Sequence, residues 1–247
     1  MISKNQLKLI QSLKLKKNRN KTGLFIAEGE KVVLELLNSS IKLHSLYCLP
    51  SFSGQIENKS DNITEISEKE LSRISNLKSP NQVLALFEIP KSEKYITEKG
   101  LILALDDIRD PGNLGTIIRL ADWFGVYTIL CSHNTVDAFN PKVIMATMGS
   151  ISRVNLIYCD LEEELINISK PIYGALLEGE NVYKANIIDD AVLVIGNESN
   201  GISDDIEKHV SNKITIPQFG NLQETESLNA AIATGILLSE FKSGKRG

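Results

Sequence analysis

Cysteine is scarce in this 247-residue chain: Cys48, Cys131 and Cys159 are odd in number, far apart and free of any C-x-x-C pairing. Neither a disulfide framework nor a zinc site is favoured, and the three thiols are expected to be buried or idle. Histidine is as sparse, and His44, His133 and His209 form no H-E-x-x-H pattern, so no metal is expected. No apolar run approaches the roughly 20 residues that cross a bilayer, and the basic N-terminal stretch leads into no uninterrupted apolar segment or small-residue cleavage site. A cytoplasmic protein without a membrane partner is expected. Also missing are a G-x-G-x-x-G after any strand and a Walker-type phosphate loop, which leaves a nicotinamide-dependent dehydrogenase without support. Internal repeats and low-complexity segments are absent too.

What remains is an ordinary globular composition, 42% hydrophobic and 23% charged, enough for one large or two smaller domains. The formal net charge of −4 hides an uneven distribution. Residues 1–100 carry 16 Lys and Arg against 11 Asp and Glu, whereas the remainder carries 11 against 20. Between Lys4 and Lys21 there are seven basic residues and no acidic one. Such a run is either a solvated helix face or a footprint for phosphates.

Ser3 can cap a helix whose apolar positions Leu7, Ile10 and Leu13 recur at three-residue spacing. A short strand at Leu24 to Ala27, a helix at Lys31 to Leu37, and strands at Ser45 to Leu49 and Val83 to Phe87 follow, with the capping-box pattern Ser67-x-x-Glu70 between them. Residues 1–90 thus read as a compact α/β unit. The polar stretch 91–100 reads as a linker. Beyond it, strand candidates at Leu101 to Leu105, Tyr127 to Cys131, Arg153 to Ile157, Ile172 to Leu176, Val192 to Ile195 and Lys213 to Ile216 alternate with helical segments. Runs such as VLVI, apolar on both faces, predict a parallel sheet buried between helices, so the class of residues 101–247 is α/β. The last helix, predicted from Ser227 to Phe241, is rich in small residues and can lie close against another backbone.

Three segments combine a strand end, a tight loop and a helix start. The first, LDDIRDPGNLGTIIRLADWFG, puts Asn113 at a loop apex and Arg119 in the early helix. Asn113 is either a helix N-cap or an amide offered to a ligand, and Arg119, flanked by Ile117, Ile118 and Leu120, is either a buried salt-bridge partner or a phosphate contact. The second, VLVIGNESNGIS, follows a buried strand with a glycine-bounded loop, where Glu198 is a turn carboxylate or a functional one. The third, ITIPQFGNLQETESLNAAIATGI, ends a strand at Ile216-Pro217 and presents Ser227, Leu228 and Asn229 at a helix N-terminus. Ser227 alone would serve as an ordinary N-cap.

In order and spacing these segments resemble the three motifs of the SpoU/TrmH family of RNA ribose 2′-O-methyltransferases, within the SPOUT superfamily. The resemblance extends to the N-terminal unit, through Arg19 and Gly23-Leu-Phe-Ile-Ala-Glu-Gly29. It implies a C-terminal SPOUT domain closed by a deep trefoil knot, S-adenosyl-L-methionine as methyl donor, a ribose 2′-hydroxyl in rRNA or tRNA as acceptor, and a homodimer whose partner subunit supplies Arg119. It assigns catalytic roles to Asn113, Arg119, Glu198, Ser227 and Asn229. Leu177, Gly179, Gly196, Asn197, Gly201, Ile216, Pro217 and Leu228 are implied in the adenosyl pocket, and Lys16, Lys17, Arg19 and Lys21 at RNA phosphates. Between Pro217 and Ser227 the chain departs from the family by a longer, more acidic loop with Glu224 and Glu226. A noncatalytic RNA-binding protein with a vestigial methyltransferase domain is the alternative reading; loss of Asn113 or Arg119 would favour it, and both are present.

Overall fold

The computed structural model of the chain describes residues 1–56, 62–91, 99–220 and 227–243. Most of the linker expected at 91–100 lies outside the described residues, as do Glu224 and Glu226 of the acidic loop. In chain order the first elements are α1 (Lys4–Ser12), α2 (Lys16–Thr22), β1 (Leu24–Glu28), α3 (Glu30–Leu37), β2 (Leu43–Cys48), α4 (Pro50–Ser53), β3 (Ile63–Glu65), α5 (Glu68–Ile74) and β4 (Val83–Glu88). They are followed by β5 (Ile102–Leu105), α6 (Pro111–Trp123), β6 (Thr128–Ser132), α7 (Pro141–Thr147), β7 (Asn155–Cys159), α8 (Leu161–Asn167), β8 (Ile172–Asn181), β9 (Val192–Ile195), α9 (Asp204–Glu207), β10 (Asn212–Thr215) and α10 (Ala230–Ser243). Contacts divide the chain into two compact units. One comprises residues 1–91 with 137–152; the other comprises 92–136 with 153–247.

The first unit holds a four-stranded sheet in the order β1-β4-β2-β3, antiparallel except for the parallel β2–β3 pair. Ser3 caps α1 through a capping box with Gln6, and Ser67 caps α5 through one with Glu70. One core gathers Ile10 and Leu13 with Ile26, Leu84 and Leu86 of the sheet and Leu71 and Ile74 of α5. Glu28, buried at the end of β1, accepts from the hydroxyl of Ser75 (2.5 Å) and from the backbone and side-chain N–H groups of Asn76 (3.0 and 2.6 Å), so both its oxygens are satisfied by the residues that follow α5.

Arg19 corrects the sequence expectation. Lys16, Lys17 and Lys21 are exposed, but Arg19 is only 2% exposed. Its Nη1 donates to the carbonyls of Leu13 (2.8 Å) and Lys14 (3.0 Å), and its Nε (3.0 Å) and Nη2 both donate to Asp137 Oδ2. Four of the five guanidinium N–H donors are committed to protein and the side chain is buried, so in this fold Arg19 is no phosphate contact.

The second unit is built on a six-stranded, wholly parallel sheet in the order β10-β8-β9-β5-β6-β7. β5 and β9 are buried along their whole length, as strands apolar on both faces must be. One face packs Ile102, Ala104, Val192 and Val194 against Leu161 and Leu165 of α8 and Ile206 of α9. The other receives α10, whose Phe241 ring meets Tyr173 edge-on at 5.2 Å. α10 also lies against α6, as its small residues predict: Gly235 faces Leu120 so closely that a Cβ there would touch the leucine methyls at 3.5 Å. The chain runs from β5 outward to β6 and β7, then returns to the other side of β5 for β8, β9 and β10. The crevice between β5 and β9 is therefore where connections diverge, the place outside the C-terminal strand ends at which open α/β sheets bind ligands.

Candidate active site

Two loops leave the adjacent strands β5 and β9 and are stitched together. The Asp106 N–H extends the pairing to the Ile195 carbonyl (2.9 Å), and buried Asp106 Oδ2 accepts from the Ser203 N–H (2.8 Å). Asn197 Nδ2 donates to the Asp107 carbonyl (2.8 Å), while its Oδ1 accepts from the N–H groups of Ser199 (2.9 Å) and Asn200 (3.2 Å). Asp107 takes a left-handed φ of 58° and is held by an N–H bond to Ser132 Oγ (2.9 Å). Gly196 is required by space: a Cβ would lie 2.2 Å from the Gly201 carbonyl carbon, where the turn closes through reciprocal Asn197–Gly201 backbone bonds of 2.9 Å.

The cap of α6 is Asp110, whose Oδ1 accepts from the Asn113 N–H (2.8 Å), with Pro111 in the first turn. That frees the Asn113 side chain from capping and aims it, nearly buried, at the β9 loop. Its Nδ2 donates to Glu198 Oε1, and its Oδ1 accepts from Asn229 Nδ2 (2.8 Å). Asn229 in turn caps α10, its Oδ1 accepting from the N–H groups of Ala231 (3.0 Å) and Ile232 (3.2 Å). A continuous chain Glu198–Asn113–Asn229 thus joins the three sequence segments through side chains and fixes both amide orientations. Ser227, expected to open the helix, is exposed two residues before that cap.

Arg119 stands one and a half turns beyond Asn113 on α6, exposed, with no side-chain bond to a described residue. Residues at three- and four-residue spacing share its face, and of these Thr116 is exposed and Trp123 is 84% exposed. The residues expected around an adenosyl group lie on three neighbouring strands. Leu177 and Gly179 belong to β8, Gly196, Asn197 and Gly201 to the turn after β9, and half-buried Ile216 and Pro217 follow β10. Leu228, 46% exposed, precedes α10. The pairing of β10 with β8 jumps from Gly174 to Glu180 between Lys213 and Ile214, so Leu177 stands in the unpaired stretch, 72% exposed. Gly179 is the close-approach point, where a Cβ would lie 2.8 Å from the Lys213 carbonyl.

Sequence reasoning overlooked the roles of Asp106 and Asp110. The signal was there, since Asp-Pro opening a helix is a cap pattern. Asp106 could be assigned only once β5 and β9 were known to be neighbours.

A SpoU rRNA Methylase family model matches residues 100–239, and an MRM3-like substrate binding domain model matches residues 4–85. A 23S rRNA (guanosine(2553)-2′-O)-methyltransferase, RlmP of Bacillus subtilis, is 31% identical, with 97% of each chain covered. An AdoMet-bound rRNA methyltransferase from Sinorhizobium meliloti superposes with a TM-score of 0.86 at 30% identity, covering 100% of this chain and 98% of that one. A TrmH-family structure from Porphyromonas gingivalis gives 0.87 at 35% identity, covering 98% of both chains. The chain belongs to the SpoU rRNA methylase family. It is an RNA ribose 2′-O-methyltransferase, and its methyl donor is S-adenosylmethionine. Among the described residues no helix is long and apolar enough to cross a membrane, and no three His, Cys, Asp or Glu side chains group as metal ligands.

Proposed function

We propose that the chain methylates the ribose of a guanosine in large-subunit rRNA, in the cytoplasm, as a homodimer. The names of its full-length relatives support the rRNA target. The observation that carries the site assignment is the Glu198–Asn113–Asn229 chain, which rigidly orients two amides at the crevice of the sheet. Bound S-adenosylmethionine supplies a sulfonium methyl that carries its own leaving group. The residues present fit it: Leu177, Ile216 and Leu228 offer apolar cover for an adenine, and the side-chain-free turn at Gly196 leaves backbone groups open to a polar ligand.

Asn113 and Asn229, pre-oriented by Glu198, position the ribose and donor so that the 2′-oxygen and the methyl meet in line. Arg119 keeps its proton, so its role is charge: it holds the adjacent phosphate and stabilises the oxygen as its negative charge develops, while the hydroxyl proton leaves to solvent water. Ser227, exposed two residues before Asn229, offers a hydroxyl to the ribose or donor. Lys16, Lys17 and Lys21 hold RNA phosphates. Residues 1–90 act as the substrate-binding domain and 101–247 as the methyltransferase domain, with the trefoil knot that family membership supports.

Homodimerisation is favoured by the exposed side of the α6–α10 pair. A shallow groove of about 490 Å³ there is lined by Thr116, Leu120, Tyr183, Ile232, Gly235 and Ile236. Thr116 and Leu120 are neighbours of Arg119 on the helix, so a second copy seated on this groove takes Arg119 toward its own site.

The test is transfer of labelled methyl from S-adenosylmethionine to unmodified 23S rRNA, 16S rRNA and tRNA separately, with mass mapping of any 2′-O-methyl nucleotide. Label on a 23S guanosine is expected. Label confined to tRNA or 16S rRNA overturns the target, and donor binding without transfer to any RNA overturns the activity on free RNA.

A further inference from the structure

We propose that Arg19 is a positioning residue for RNA capture, clamping the basic α1–α2 corner to the excursion 137–152 that interrupts the methyltransferase sheet between β6 and β7. The inference rests on the reading that the N-terminal unit binds substrate RNA.

The corner is a cationic surface assembled around one buried cation. Lys14, Lys16, Lys17 and Lys21 are all exposed, whereas Arg19 between them is buried. Its guanidinium bonds the last carbonyls of the α1 turn, at Leu13 and Lys14, and at the same time Asp137, which is 118 residues away in sequence. A planar fork with several fixed donors can hold three chain segments in one arrangement, which a flexible ammonium cannot do. With the pair nearly dry, a slip of either partner strands a buried charge, so the arrangement is stiff.

The rest of the excursion is fastened to the same unit. Asp137 Oδ1 accepts from the Phe139 N–H (3.2 Å), and the Phe139 ring lies 5.1 Å from Phe25 of β1. At the far end, Gly149 backs onto α3 with no room for a side chain, a Cβ there falling 2.5 Å from that of Glu35. Asp137 is covalently joined to Val136. The Val136 N–H donates to the Ile108 carbonyl (2.9 Å), in the loop that leads into α6 and Asn113. Its carbonyl accepts from the Tyr158 hydroxyl (2.5 Å).

The decisive variant is Asp137→Asn, which keeps the size of the side chain and its acceptor for Phe139 but removes the charge that Arg19 grips. On Coulomb grounds alone, losing an acidic residue tightens RNA binding. Positioning demands the reverse. Binding of transcribed 23S rRNA, measured by filter retention at fixed salt, is expected to weaken about tenfold. KM for RNA should rise to match, while kcat at saturating RNA and S-adenosylmethionine affinity stay at wild-type values. Arg19→Met should give the same loss, and the double variant no further loss, because both remove one clamp. Circular-dichroism melts identify any protein that is unfolded at the assay temperature, and if Arg19→Met is unfolded, Asp137→Asn decides alone. A folded Asp137→Asn that binds RNA as well as wild type or better overturns the proposal, as does additivity of the two substitutions. Because RNA affinity is read without catalysis, a wild-type protein that binds RNA but transfers no methyl strikes the proposed function and leaves this inference standing.

Discussion

The basic corner around Arg19 and the outer face of α6 around Arg119 use the same side chain in opposite ways. Arg19 spends its donors on two carbonyls and a carboxylate and is sealed from water; Arg119 is exposed and has no bond to a described residue. A guanidinium fully bonded inside a domain shapes that domain. One held out on a rigid helix, within reach of a groove, is available to a substrate or a second subunit. Substitution at the two positions should therefore separate stability from chemistry.

The sharpest contrast is expected at Arg119. Arg119→Ala should lower kcat about a thousandfold, the scale of losing one preorganised charge contact in a transition state. Its thermal midpoint should match wild type, as the side chain supports no described contact; a large fall in that midpoint would erase the distinction. Arg19→Ala should do the opposite, destabilising the protein by about 3 kcal/mol in urea unfolding, because Asp137, only 13% exposed, loses the cation that grips it. Donor binding by the fraction still folded should stay normal. Between these extremes lies Glu198→Ala, which leaves the nearly buried Asn113 amide without an acceptor at a cost of about 1–2 kcal/mol. It should also lower kcat by about a hundredfold through loss of orientation. Unchanged kcat there would remove Glu198 from the working site.

The smallest effect belongs to the N-terminal unit and tests whether its architecture is set by fixed local charges. Glu70 accepts from the N–H of Ser67 (3.1 Å) and that of Ile2 (2.9 Å), and these bonds hold its pKa at about 2, below the ordinary 4.5. A carboxylate with a depressed folded pKa contributes stability that is complete above its unfolded pKa and is lost as pH falls through the folded one. The stability gap between wild type and Glu70→Gln should thus be flat above pH 4.5 and shrink from there toward pH 2. A gap unchanged at pH 2 contradicts this.

The sheet was legible because its code is local. VLVI declares a strand covered on both faces, and β9 occupies those four residues. Both capping patterns, at Ser3 and Ser67, also sit where the spacing put them. Three-segment order disclosed Asn113, Glu198 and Asn229, but not that one amide lies between the other two groups. Arg119 was harder: its neighbours Ile117, Ile118 and Leu120 argue for burial, yet adjacent residues on a helix point to different faces, and among the residues at its own spacing Thr116 and Trp123 are exposed. Arg19 failed for the converse reason, since a run of exposed lysines hides a buried member whose partner lies 118 residues away. The excursion 137–152 was illegible for the same cause: Pro141 to Thr147 reads as one more helix between strands, and only tertiary packing against β1 and α3 assigns it to the first unit.

In the proposed homodimer, the working site would combine the Glu198–Asn113–Asn229 chain of one subunit with Arg119 of the other, and mixing of variant subunits tests that arrangement. Arg119→Ala and Glu198→Ala proteins, each expected to keep about 1% of wild-type activity or less alone, would be unfolded together, refolded and assayed on 23S rRNA. Random pairing leaves one site intact in each mixed dimer, so activity should return to about a quarter of wild type. No recovery, with mixed dimers demonstrated by differential tagging, would place both residues in the same subunit's site and contradict the account.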